Sequence, residues 1–163
     1  MNLDNLTYGS SSLILLIFLA VAIATDIHRN RIPDVLVAIM LGCGIVLHCS
    51  FLGGAGALSA LGGVVAAFLI LVPFYAIGAF GAGDVKLLAG VGSFLGPWDV
   101  ALAGVFTLAL GGLLGLAVIL WQRVGTVLAV RYLSIPPSAP IETSVVKIPY
   151  SLAITAGTLV ALY

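Results

Sequence analysis

Two aspartate-containing segments combine residue types that can perform proton transfer. They are Asp26-Ile-His-Arg-Asn-Arg-Ile-Pro-Asp34 and Gly81-Ala-Gly83-Asp84-Val-Lys86. Two carboxylates within a few ångström of each other cannot both ionise, so they share a proton and titrate as a coupled pair. The charged member can take a proton from water while the neutral member donates one to a peptide carbonyl. The pair Asp26 and Asp84 is therefore suited to general acid–base hydrolysis without a nucleophile or a metal.

The amino-acid composition indicates whether these segments lie in water or in a membrane. The chain of 163 residues is 62% hydrophobic and 7% charged, with a mean hydropathy of +1.28, whereas a soluble domain carries about 25% charged residues. So little charge cannot cover a globular surface, and so many apolar residues exclude intrinsic disorder. A net charge of zero provides no basic face for nucleic acid. We predict an all-α, polytopic integral membrane protein with the lipid bilayer as its surroundings.

Long stretches without charge define the membrane segments, since a transmembrane helix needs about 20 apolar residues. We predict one membrane-embedded domain over residues 1–163 with six segments, of which the fourth is short. The segments are about 7–25, 34–52, 57–79, 85–96, 99–121 and 146–163. Glycines within residues 51–56 separate the second segment from the third. Residues 122–147 are predicted to form a polar connection, because their proline-rich part cannot continue a helix.

The basic residues predict the orientation of these segments. With the N-terminus outside, all six Lys and Arg residues fall on the cytoplasmic side, as the positive-inside rule requires. Both aspartate segments then lie at the cytoplasmic face of an inner or plasma membrane. A fourth segment of about 12 residues spans roughly 18 Å, less than a bilayer core of about 30 Å. Asp84 would therefore stand at the mouth of a short helix, where water can reach it.

Each aspartate also has a simpler interpretation. Asp26 can be an interfacial charge that flanks a membrane segment beside Arg29. Asp84 can begin a helix, where the helix dipole favours a negative charge. Gly81 and Gly83 would allow a sharp backbone bend and the close approach of an extended substrate.

Three motifs together resemble those of a known family. The segment from Gly81 to Lys86 resembles the GxGDxK signature of the type IV prepilin peptidases, which are membrane aspartyl proteases of the GxGD class. The segment from Asp26 to Asp34 resembles the family's other aspartate motif, in which an Asp precedes a short basic stretch and Ile-Pro-Asn. Lys147-Ile-Pro-Tyr150 resembles the family's last motif. The three motifs occur in the family's order and frame nearly the whole chain.

The resemblance implies an aspartic endopeptidase that removes the leader of prepilin-like proteins, with Asp26 and Asp84 as its catalytic pair. It places supporting or substrate-binding residues at Gly81, Gly83, Lys86 and Asp34, and it implies no metal and no cofactor. Asp34 stands where Asn is frequent, so an assignment with Asp34 as a catalytic residue remains open.

The size of the chain resembles the short Flp/Tad-type members or the archaeal preflagellin peptidases. Longer relatives carry an additional N-terminal region that is associated with N-methylation, so we expect no methyltransferase activity. The particular substrate and the oligomeric state remain open.

Other functional classes remain as alternatives. A small proton-coupled carrier or channel subunit could use Asp26 and Asp84 as a relay. Such proteins commonly have two related halves with paired interrupted helices, whereas this sequence has one interrupted segment and no repeat. A purely structural membrane subunit leaves the paired aspartate motifs unexplained. A serine protease would need Ser93 with His48, both predicted near the outer face, and the metalloprotease motif H-E-x-x-H does not occur.

Overall fold

The computed structural model describes residues 3–29, 32–133 and 150–162. Within these ranges the chain forms helices and no strand, which confirms the all-helical prediction for this part of the protein. The helices are α1 (Leu3–Arg29), α2 (Asp34–Ala76), α3 (Ala82–Leu95), α4 (Pro97–Leu133) and α5 (Tyr150–Leu162).

Helix α2 consists of two arms that meet at Gly53. This residue has φ 60° and ψ −140°, a backbone conformation that favours glycine because it has no Cβ. The first arm covers residues 34–52 and the second covers residues 54–76. At 1.5 Å per residue the arms are about 28 and 34 Å long, close to the thickness of a bilayer core. The break lies within the glycine-containing stretch where the sequence predicts a division.

The register against α3 shows that the two arms of α2 run in opposite directions. Each arm contacts α3 at two levels, through pairs that include a glycine. The pairs are Met40 with Gly90 and Gly44 with Ser93 on the first arm, and Ser59 with Gly96 and Gly63 with Gly92 on the second. Along the first arm, the residue numbers of the arm and of α3 increase in the same direction. Along the second arm, they increase in opposite directions. The first arm is therefore parallel to α3 and the second is antiparallel.

Helix α3 is the central element, although it has only 14 residues. Every residue from Leu87 to Phe94 is buried, as expected for a helix that is apolar on all faces. A Cβ at Gly63 would overlap the backbone of Gly92, and the converse also holds. Such small-residue contacts let membrane helices approach closely, and here they hold α3 between the arms of α2.

Helices α4 and α5 complete the bundle. Gly96, with φ 81°, joins α3 to α4 and lets α4 return antiparallel to α3. Helix α5 packs on α4 with Tyr150 beside Gly111, and Gly157 lies beside Ala103. It therefore runs antiparallel to α4. The starts of α2, α3 and α5 and the end of α1 consequently lie at one end of the bundle.

The outer surface is apolar, as expected for a protein surrounded by lipid. Large hydrophobic side chains such as Leu58, Ile77 and Trp121 are mostly exposed. In the part of the chain that the structure describes, three helical stretches are long and apolar enough to cross a membrane, namely 11–29, 34–76 and 97–121, and α5 is a shorter apolar helix. The protein is thus an integral membrane protein, and its described residues form an all-helical bundle.

Several predicted helix ends differ from the structure. The polar connection predicted at residues 122–147 is wrong for residues 122–133, because α4 continues to Leu133. Isolated polar residues do not end a helix, and the first proline after α4 begins is Pro136. Helix α3 begins at Ala82, before the predicted residue 85, since Asp84 serves in its N-terminal cap. The first three residues of the predicted final motif, Lys147 to Pro149, lie outside the described residues.

Candidate active site

A cavity of about 550 Å³ opens at the end of the bundle where α1 ends and α2 and α3 begin. Its volume is within the range of small-ligand sites. Both aspartate segments that the sequence analysis singled out contribute to its wall. The lining residues are Asp26, Arg29, Ile32, Pro33, Asp34, Gly81, Ala82, Gly83, Asp84 and Lys86. The structure therefore brings Asp26 and Asp84 to one cavity from positions 58 residues apart.

Asp26 lies in the last turn of α1 and is half-buried. Its Oδ2 atom accepts a hydrogen bond of 2.7 Å from the Ser151 hydroxyl in the first turn of α5. Ser151 is fully buried. A buried hydroxyl that donates to a carboxylate fixes the orientation of the carboxyl group.

Asp84 occupies the first turn of α3 and closes a reciprocal cap with Gly81. The Gly81 backbone N–H donates to Asp84 Oδ2 at 3.0 Å, and the Asp84 N–H donates to the Gly81 carbonyl at 3.1 Å. The helix-start interpretation of Asp84 is therefore correct for its local structure. The cap also holds the carboxyl group at the cavity wall.

The environment of Asp84 also changes its acidity. The pKa of Asp84 is raised from its usual value of 3.8 to about 6, mainly by burial; the Gly81 N–H opposes this rise and the nearby Asp26 charge adds to it. Asp84 lies outside the candidate membrane-spanning stretches. A carboxyl group with such a pKa can hold or release a proton near neutral pH.

Asp34 and Lys86 form an ion pair at the cavity mouth. The Lys86 Nζ lies 2.7 Å from Asp34 Oδ1, and their side chains are 46% and 78% exposed. The ammonium group thus pairs with Asp34 at the start of α2.

The two glycines of the second segment lie where the chain enters α3. Gly81 is the residue before the helix and has φ −80°, which any residue can adopt, so its conformation does not require glycine. The turn after α2 instead contains Gly78, with φ 77°. A Cβ at Gly83 would meet Ile32 at 3.7 Å across the cavity. This is an ordinary van der Waals distance, so a small side chain would fit at Gly83 but would narrow the cavity beside Ile32.

An aromatic contact that no sequence motif predicts brings α5 to the site. The rings of Phe80 and Tyr150 lie 4.8 Å apart, and Phe80 also packs on Phe74 at 6.4 Å. The contact places the residue after Tyr150, Ser151, beside Asp26. The one sequence signal for Ser151 is its position directly after the Lys147–Tyr150 motif.

The serine-dyad alternative finds no support in the arrangement of Ser93 and His48. The Ser93 hydroxyl is buried and donates to the Gly90 carbonyl at 2.7 Å. His48 lines a separate cavity of about 270 Å³ that also includes Asp99 but not Ser93. Among the described residues, no group of three or more His, Cys, Asp or Glu side chains is arranged to hold a metal ion.

The fold and the cavity define an integral membrane protein in which two carboxyl groups from different helices converge at one end of the bundle. Residues 13–120 match the type IV leader peptidase family, and the chain belongs to this family. The chain is 33% identical over 156 residues to the prepilin leader peptidase/N-methyltransferase of Bacillus subtilis (strain 168). The similarity covers 90% of this chain and 51% of that protein, so the chain spans about half its relative's length. No solved structure matches the chain.

Proposed function

We propose that the protein is an aspartic endopeptidase that removes the leader peptide of prepilin-like proteins at the cytoplasmic face of the membrane. Asp26 and Asp84 are its catalytic pair. The observation that carries this proposal is their position in one open cavity, where each carboxyl group has a different environment. Membership of the leader peptidase family supports the reaction class, as does the name of the Bacillus subtilis relative.

The proposed reaction needs one proton on the pair. Ionised Asp26 takes a proton from water, the water oxygen bonds to the scissile carbonyl carbon, and Asp84 donates its proton to the carbonyl oxygen. The resulting diol then returns its proton to Asp84 as the carbon–nitrogen bond breaks. Asp26 gives its proton to the leaving amine. The pair is thereby restored to its starting state.

The remaining lining residues surround the substrate in this proposal. Gly81 and Gly83 leave room for an extended peptide to pass close to the α3 backbone. Asp34 and Lys86 stand at the mouth, where they contact the leader without taking part in proton transfer. The apolar helix that follows the leader in substrates of this class then lies in the lipid beside the bundle.

The membrane arrangement belongs to the same proposal. A single domain has six helical segments in an inner or plasma membrane, with the two arms of α2 counted separately and α3 as the short segment, and its N-terminus is outside. Arg29 and Lys86 lie at the cavity end, as the positive-inside rule requires of a cytoplasmic face. Reporter fusions after residue 30 should read cytoplasmic, and one near residue 54 should read external.

The decisive experiment is leader cleavage by purified enzyme with a prepilin-like substrate. Asp26→Asn, Asp84→Asn and the double variant should each lose cleavage by at least about 100-fold, the low end for lost acid–base catalysis. The double variant should lose little more than either single one, because the two groups act as a unit. Asn retains an oxygen that can accept the hydrogen bond from Ser151 or Gly81, so folding should be preserved.

Asp99→Asn is the matched control, because Asp99 lines the other cavity and should leave cleavage unchanged. Normal cleavage by Asp84→Asn would end the aspartic-protease proposal. A proton relay without cleavage by the wild type would favour the carrier alternative. With S-adenosylmethionine present, the mass of the product also tests the expectation that no methyl group is added.

A further inference from the structure

The Ser151 hydroxyl differs from other buried hydroxyl groups of the bundle in what it binds. Ser93, Thr107 and Thr158 are also buried, and each donates to a carbonyl three or four residues earlier in its own helix. This is the usual way for a membrane helix to satisfy a hydroxyl group. Ser151 instead donates to Asp26, 125 positions away in the chain.

The packing of α5 leaves Ser151 little freedom to choose another partner. Tyr150 is fixed against Phe80, and a Cβ at Gly157 would lie 2.6 Å from the Ala103 carbonyl. These contacts fix the first turn and the middle of α5. They hold the Ser151 backbone at a position from which its hydroxyl group reaches Asp26.

We propose that Ser151 is a positioning residue that keeps Asp26 as the ionised member of the aspartate pair and so leaves the shared proton on Asp84. This inference rests on the proposed function, and it assigns the two catalytic roles to particular residues. A hydrogen bond to a charged carboxylate is stronger than one to a neutral carboxyl group. When two groups share one proton, a modest difference in their partners decides which group carries it.

The other charged and titratable groups around the cavity do not replace Ser151 in this role. Asp34 and Lys86 are joined to each other across the mouth. The Gly81 N–H donates to Asp84, but burial outweighs that bond in its effect on the pKa of Asp84. Among the described residues, the other charged groups that line the cavity with the pair are Arg29 from α1, Asp34 from α2 and Lys86 from α3. Ser151 is the residue for which a direct hydrogen bond to Asp26 is seen.

Ser151→Ala, Ser151→Thr and the control Ser93→Ala test the inference in the full-length enzyme. Ser151→Ala should lower kcat by roughly tenfold, as expected for the loss of one hydrogen bond to a charged group, with little change in KM. The acidic limb of its pH–rate profile should move to higher pH. Ser151→Thr should keep the kcat and the acidic limb of the wild type, because it retains the hydroxyl group. Ser93→Ala should change neither, since its hydroxyl binds only its own helix.

A second readout does not depend on cleavage. A hydrophobic carbodiimide reacts with protonated carboxyl groups, and peptide mass analysis identifies the labelled residue. At pH 6 the label should fall on Asp84 in the wild type and shift toward Asp26 in Ser151→Ala. An unshifted label would overturn the inference, as would an unchanged acidic limb in Ser151→Ala. If the wild type fails to cleave any prepilin-like substrate, the proposed function fails, while the labelling still decides the role of Ser151.

Discussion

The two ends of α3 have opposite surroundings. Toward its C-terminal end, Gly92 touches the backbone of the second arm of α2, and neighbouring side chains are completely buried. Toward its N-terminal end, Asp84 is half-buried and Lys86 is 46% exposed beside an open cavity. The closely packed end fixes the helix, while the open end leaves space for a substrate. A short helix can thus hold a carboxyl group in place without covering it, which is what a preorganised site requires.

The largest expected effect comes from loosening the packed end of α3. Gly63→Ala places a Cβ against the Gly92 carbonyl, and such overpacking costs about 1–3 kcal/mol. The second arm of α2 and α3 must separate, which displaces Asp84. A displacement of about 1 Å can lower activity by roughly 100-fold. We expect a lower Tm in detergent together with a large loss of cleavage.

Gly42→Ala is the matched control for this variant. A Cβ at Gly42 has nothing within 4 Å, and it lies in the first arm of α2 as Gly63 lies in the second. Its Tm and cleavage should equal those of the wild type. If both substitutions lowered Tm and cleavage equally, the loss would come from replacing any glycine of α2 and not from the contact between Gly63 and α3.

A smaller effect, on the stability of the protein, is expected from the titration of Asp84 at the open end of α3. Since the pKa of Asp84 is about 6 in the folded protein and 3.8 without the fold, the folded state binds more protons between these values. Its stability therefore falls as the pH rises from about 4 through 6. Asp84→Asn lacks this titration and should gain in Tm relative to the wild type over that range. A difference in Tm that does not vary between pH 4 and pH 8 would contradict the raised pKa.

The same titration should be visible in catalysis. Above pH 6 both members of the pair become charged, so kcat/KM should decrease there with a limb near pH 6. The pH dependence of kcat/KM reports the pKa values of the free enzyme, so it can be compared directly with the Tm measurements on the same protein.

Local signals in the sequence predict part of this arrangement. The uncharged stretches indicate membrane helices, and the glycines around Gly53 mark the reversal inside α2. The motif at Gly81 begins a helix with Asp84 in its cap. These features depend on residues close together in the chain, so they can be read before the fold is known.

Other features depend on packing between distant segments and could not be read in this way. The bond between Ser151 and Asp26 requires α5 to lie against the end of α1. The pairing of Lys86 with Asp34 requires the starts of α2 and α3 to meet. The polar residues after Trp121 predict a connection, whereas α4 continues to Leu133, because isolated polar residues are compatible with a helix.

The smallest effect is expected at the ion pair of the cavity mouth. Asp34 and Lys86 are 78% and 46% exposed, and water weakens exposed ion pairs to about 0–1 kcal/mol. Asp34→Asn, which introduces the residue more frequent in the family motif, and Lys86→Ala should each change cleavage by less than about tenfold, since 1.4 kcal/mol corresponds to a factor of ten.

The double variant with both substitutions gives the strongest test of this interpretation. If the two side chains act through each other, the double variant should resemble Lys86→Ala alone, because each single change already breaks the pair. A loss in Asp34→Asn as large as that expected for Asp26→Asn would make Asp34 a catalytic residue. A large loss of cleavage confined to Lys86→Ala would instead indicate that the Lys86 ammonium group acts on Asp84. Small effects on cleavage in all three variants would indicate that only Asp26 and Asp84 transfer protons. The site would then tolerate a change of charge at the cavity mouth but not at the aspartate pair.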